Sequence, residues 1–263
     1  MAFPDPAATP FHPLYIGGNS ALSYMHSAMG LYAEQVEPFL VKAYRRVLDR
    51  VRDPVLAEAM DRFCRQESQH CQQHADFNRV VLAQGYPGVA ERVARLRADF
   101  DAFLSQRDDR FRIAFAVGFE SYTTQGALHA LRVGWYDNEF TLQPWGDLFK
   151  WHMLEEIEHR AVTEDLWDHL YGDRLYRAWM CLRTQRHMAS FFHDVARLMS
   201  AADVPRFGPK CRITPKAWTF IRLSPWGILA RTIAPGYSVR DLEIPAHVGV
   251  LSRHYSGQAE WVR

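Results

Sequence analysis

The chain has 263 residues, 48% of them hydrophobic and 23% charged, with a formal net charge of +1. This is the balance of an ordinary globular protein with a sizeable core. No run of Lys and Arg forms a basic stripe, which argues against nucleic acid as partner. No run of about 18 or more uncharged apolar residues appears, so no membrane span is expected.

In chain order, residues 1–18 are Pro-rich, end in Gly17-Gly18 and read as an irregular arm. The opening MAFPDPAATPF has neither a basic n-region nor an apolar h-region, so the expectation is no signal peptide and a cytoplasmic location. A helical pattern runs from about Asn19 to Val51, with Asn19 or Ser20 as N-cap. Asp53-Pro54 interrupts it, and Pro54 starts a second helix to about Gln84. GYPG (85–88) is a turn, 89–106 a connecting amphipathic helix, and 110–133 another long helix. After a looser stretch from Trp135 to Trp145, a helix spans about 146–171 and closes at Gly172; one more covers about 173–200. Past Val204-Pro205, prolines and glycines break the pattern. The four cysteines (Cys64, Cys71, Cys181, Cys211) have no CxxC spacing and suit a reducing compartment.

With no alternating strand pattern, the fold class reads as all-α: four long helices at the centre, as in a four-helix bundle, with additional helices and an irregular C-terminal segment. The expected organisation is an arm (1–18), a helical domain (19–202) and an extension packed on it (203–263).

Four of the helices carry acids in apolar settings. In WHMLEEIEHRAVTEDLW (151–167), Glu156 and His159 stand i, i+3, and His152, His159 and Thr163 share a stripe with Glu155 and Glu156 at its edges. FCRQESQHCQQHADFN (63–78) repeats the spacing with Glu67 and His70, and His74 extends that face. Glu37 in AEQVEPFLVKAY and Glu120 in IAFAVGFESYTT add one lone acid each, with Glu34 as an alternative to Glu37. The order Glu, ExxH, Glu, ExxH, one element per long helix, is the ligand pattern of a dinuclear carboxylate site. Two divalent ions would neutralise four carboxylates that could otherwise not share a core. The expected metal set is Glu37, Glu67, His70, Glu120, Glu156 and His159, with His74 as a further nitrogen ligand or gate. His152 and His26 read as structural histidines.

These residues resemble a bacterial family known as predicted metal-dependent hydrolases, a branch of the ferritin-like superfamily. The resemblance rests on EPFL (37–40), the 63–78 segment, GFESYTT (118–124) and the 151–167 segment, and covers roughly residues 10 to 200. It implies a ferritin-like fold and a metal centre built from Glu67, His70, His74, Glu120, Glu156 and His159, with Glu37 beside them. Thr163-Glu164 departs from the Ala-Phe usual in that family, and the C-terminal region lacks its Pro/His-rich tail.

Mixed carboxylate and imidazole donors suit iron or manganese better than zinc. The reading placed first is therefore an O2-dependent di-iron oxidase or oxygenase of a small organic substrate. A hydrolase using a metal-bridged hydroxide comes second, and iron storage third. Phe63, Phe115, Phe119, Tyr122 and Thr123 are the expected pocket. Thr124, one turn beyond Glu120, and Glu155 are candidates for a catalytic role. The segment 216–237 admits peripheral membrane contact, and the expected state is a monomer or homodimer.

Overall fold

The computed structural model describes residue 8, residues 10–234 and residues 236–256. Most of the expected arm lies within them, but residues 1–7 and 9 of that arm and 257–263 of the C-terminal extension lie outside. The fold is all-α, with no strand among the described residues.

Helix α1 (Ser20–Arg45) starts where Asn19 accepts a hydrogen bond from the Leu22 amide. Helix α2 (Pro54–Leu82) begins under an Asp53 cap with Pro54 in the first turn, where its missing N–H costs nothing. Helix α3 (Val89–Gln106) follows the turn at Gly88, whose φ of 81° favours glycine. Helix α4 (Asp109–Val133) is capped by Asp108 and ends on Gly134 in the left-handed region.

The expected helix over 146–171 is two helices. α5 (Trp145–Glu158) and α6 (Val162–Leu170) are separated at His159–Ala161, where His159 has already left helical geometry. The orphan carbonyls at this break find local donors. Arg160 reaches back to the Ile157 carbonyl at 2.7 Å, and the Val162 amide bonds to the His159 carbonyl at 3.0 Å. Helix α7 (Arg174–Phe207) runs through Pro205, beyond the expected end near residue 200. The C-terminal region is more ordered than its prolines and glycines suggest. It forms α8 (Pro215–Thr232) and α9 (Ala246–Ser256), because Pro215 sits in a first turn under a Thr214 cap.

Helix α1 packs along α2, and α4 lies between α7 and the α5–α6 pair, while α8 lies over α7 and α4. Trp145, Trp151, Trp167 and Phe77 are buried in the core. Phe39, Phe100, Phe103 and Phe115 make a ring cluster with centroid spacings of 5.2 to 6.3 Å. Pro38 lies inside α1 and cannot donate to the Glu34 carbonyl; the Cys71 thiol of α2 donates to that oxygen instead, at 3.5 Å. This contact ties the two helices beside Glu37.

The approach of α4 to α7 depends on Gly118. A Cβ there would stand 2.8 Å from the Thr184 side chain and 3.1 Å from the Cys181 backbone. Gly118→Ala is expected to destabilise the fold by about 1–3 kcal/mol, despite the better helix propensity of alanine. Urea unfolding checks this, and an unchanged midpoint would show that the helices separate freely.

Candidate metal centre

Each of the acids singled out from sequence arrives from a different helix. Glu37 comes from α1, Glu67 from α2, Glu120 from α4 and Glu156 from α5. None is more than 1% exposed. Glu34, the alternative to Glu37, is turned aside and accepts a 2.8 Å hydrogen bond from Asn78.

The imidazoles close the cluster. His70 Nδ1 lies 3.4 Å from Glu67 Oε1 and 4.0 Å from Glu156 Oε1. His159 Nε2 lies 3.4 Å from Glu67 Oε1, 3.6 Å from Glu120 Oε2 and 3.7 Å from Glu156 Oε1. These contacts are attractive but too long or too bent for good hydrogen bonds. Accordingly, both oxygens of Glu37, Glu67 and Glu120 have no hydrogen-bond partner among the described residues, nor do Glu156 Oε2, His70 Nδ1 and His159 Nε2. Four overlapping groups place their donor atoms within 4.8 Å of one another: Glu37–His74–His152, His70–His152–Glu156, Glu37–Glu67–His70 and Glu67–Glu156–His159.

A second layer holds the rings. Glu155, adjacent to Glu156 but about 100° around the helix, points to the edge of the cluster rather than its centre. Its Oε2 accepts from His70 Nε2–H at 2.9 Å, and its Oε1 accepts from the Trp151 indole at 2.9 Å. That bond leaves the His70 Nδ1 lone pair free to face inward. Gln66 Oε1 does the same for His159, at 3.2 Å from Nδ1. The pattern of an imidazole fixed by an outer acceptor is that of metal-binding histidines.

His152 is the residue that sequence reasoning undervalued. Both its nitrogens are hydrogen-bonded, as expected, but it also lies within the cluster, with Nε2 2.8 Å from Glu156 Oε1 and 3.8 Å from Glu37 Oε1. Its Nδ1 contacts His74 Nε2 at 2.5 Å. With His152 donating to Glu156 and His74 donating to His152, His74 keeps Nδ1 unpartnered. The available signal was the i, i+4 spacing to Glu156. By contrast, His26 is satisfied by the Leu22 carbonyl and Tyr136, as expected.

Burial and like charge shape the electrostatics. Burial first, then the neighbouring Glu67, pushes Glu37 well above the usual carboxylate range. Burial and Glu156 do the same to Glu120. Burial would also raise Glu156, but His152 and His159 outweigh it and hold Glu156 well below that range. Burial opposes charge on His70, yet Glu155 and Glu67 raise it to about 9. His74, with burial and two imidazole neighbours, lies well below the ordinary histidine value. Burying even one ion costs several kcal/mol, and Glu37, Glu67 and Glu120 lack the hydrogen bonds that offset it. The donor set therefore fits divalent cations, whose positive charge would offset the buried carboxylates.

A cavity of about 360 Å³ reaches His152 from outside. Phe119, Tyr122 and Thr123 line it as expected, together with Met29, Met153 and Met188. Phe63 and Phe115 are not among its lining residues. Phe63 packs on the rings of His159 and Tyr44, and Phe115 belongs to the aromatic cluster around Phe103. Both lie on helix faces turned into the core. Thr124 is fully buried, and its hydroxyl has no hydrogen-bond partner among the described residues.

Replacing one acid by its amide should separate the cost of the cluster from its use. In chelator-treated protein, Glu120→Gln is expected to raise the melting temperature by about 2–4 °C, since the amide cannot ionise beside Glu156 and can donate to neighbouring carboxylates. Differential scanning calorimetry reads this, and a lower melting temperature would contradict the electrostatic account.

A family model described as predicted metal-dependent hydrolase matches residues 4–238. No curated protein matches the chain, and no solved structure does. The family description favours hydrolysis over the O2-dependent oxidase or oxygenase that the donor set placed first. The match includes all four acid-bearing helices and most of the C-terminal region, and the chain therefore belongs to the predicted metal-dependent hydrolase family.

Proposed function

We propose that the protein is a hydrolase working with two divalent cations held by Glu37, Glu67, His70, Glu120, Glu156 and His159, with His74 and His152 on one flank. The observation that carries this reading is the convergence of buried carboxylate oxygens and imidazole nitrogens that have no hydrogen-bond partners. When bound, such cations polarise a carbonyl or phosphoryl oxygen and bring the pKa of a water toward neutrality. Glu155 and Gln66 hold His70 and His159 in the tautomers that present a lone pair to the centre. The hydroxyl of Thr124 would orient a substrate oxygen. The methionine-rich cavity excludes water from the approach to His152 and takes a small organic substrate. In this arrangement α1, α2, α4 and α5 are the four helices of a ferritin-like frame.

A second reading, the oxidase, draws on one observation: the donors are carboxylate oxygens and imidazole nitrogens with no thiolate, a set that suits iron or manganese. The two readings part under argon. The protein purified from its own host is expected to carry about two metal equivalents per chain, to lose them in Glu67→Ala, and to cleave members of a p-nitrophenyl ester panel equally with and without O2. Consumption of O2 by the ferrous protein with no cleavage would replace hydrolysis by oxidation. Absence of metal would sink both.

The outer acceptor provides a further check. Glu155→Ala is expected to weaken metal affinity about 10–100-fold, measured by competition with a chelator. Unchanged affinity would mean that His70 needs no support from Glu155.

A further inference from the structure

The cavity beside His152 adjoins a second, more open groove of about 660 Å³ between α7 and α8. Met25, Tyr122, Phe192 and Ile221 border both spaces. Leu182, Trp226 and Leu229 extend the groove outward, so its walls are mostly apolar. Into this wall α7 sets Gln185, only 3% exposed. Neither its Nε2 nor its Oε1 has a hydrogen-bond partner among the described residues. A buried side-chain amide with both ends unpaired is rare, because its lost hydration is not replaced. Of the other polar groups on the groove, Asp194 pairs with Arg92 at 2.9 Å and His193 rests against the Trp218 ring, while Arg186 and Ser190 also line it. A mostly apolar pocket with a few polar groups is the usual form of a small-molecule site.

We infer that the site takes an elongated apolar substrate carrying a carboxamide, and that Gln185 holds this amide by donating one hydrogen bond and accepting another. The apolar body of the molecule then passes Tyr122 and Phe192 toward His152. A carboxamide matches Gln185 because it satisfies both free atoms at once. A ketone or a carboxylate can only accept from Nε2 and would leave Oε1 unpaired. Gln185 is thus a specificity-determining residue placed at the outer end of the substrate, away from the reacting group. As an assignment of substrate class, this inference rests on the hydrolase reading.

Decanamide and undecan-2-one, which differ by an amino group against a methyl group, are suitable probes. Their binding to the full chain is measured by tryptophan fluorescence or calorimetry, before and after chelation, with metal content determined on the same samples. The wild-type protein is expected to bind decanamide about tenfold more tightly than the ketone, equivalent to ~1.4 kcal/mol. Gln185→Leu should bind both probes alike, whereas Gln185→Glu, which keeps the acceptor that only the carboxamide uses and loses the donor that both probes use, should weaken both and still prefer decanamide. Circular dichroism verifies that each variant is folded. Retention of the preference in folded Gln185→Leu, its loss in folded Gln185→Glu, or no binding of either probe to the wild-type protein overturns the assignment. Protein that carries no metal as purified and still prefers decanamide supports the amide pocket and sinks only the hydrolase reading.

Discussion

Four carboxylates brought together in one helical interior set the terms for everything around them. A domain's net stability is only about 5–15 kcal/mol, and a buried ion without compensation consumes several. Such a cluster survives only if the surrounding packing is strong and the charges have a use. The packing is supplied by buried tryptophans and the phenylalanine cluster of α1, α3 and α4. The use is supplied by His70 and His159, which stand among the acids with their inward nitrogens unbonded.

The layer outside the acids converts a polar cavity into a defined one. Glu155 is the clearest case, since a carboxylate that binds both an indole and an imidazole cannot turn toward the centre without losing two hydrogen bonds. Asn78 acts similarly on α1, bonding the Gly30 carbonyl and the Glu34 carboxylate and so keeping Glu34 out of the cluster. The Cys71 contact to the carbonyl that Pro38 leaves unpaired belongs to the same layer. These bonds cross between helices, so the register of α1 against α2 and the orientation of the rings are set together.

The helices beyond the bundle decide how the centre is approached. Helix α8 lies across α7 and α4 and borders both the inner cavity and the outer groove through Ile221. Its two tryptophans differ: Trp218 packs on His193, whereas Trp226 is 60% exposed at the groove. The segment that looked irregular in sequence therefore shapes the access route to the candidate site.

The sequence by itself determined the all-α class, most helix starts and the acid-bearing positions, because each depends on local chemistry: a cap, a proline in a first turn, or a spacing of three or four residues along one face. It could not determine what the three-dimensional meeting of helices decides. The break at His159 follows from local bonds around Arg160 that compete with the helix. The place of His152 in the cluster, and of Glu155 at its edge, depends on how α5 is rotated against α2. Phe63 and Phe115 have the same character as Phe119 in sequence, yet only Phe119 faces the cavity. Gln185 is an ordinary polar residue on a long helix until α8 covers it. In each case periodicity describes one helix, whereas the direction of a side chain relative to its neighbours is a property of the packed whole.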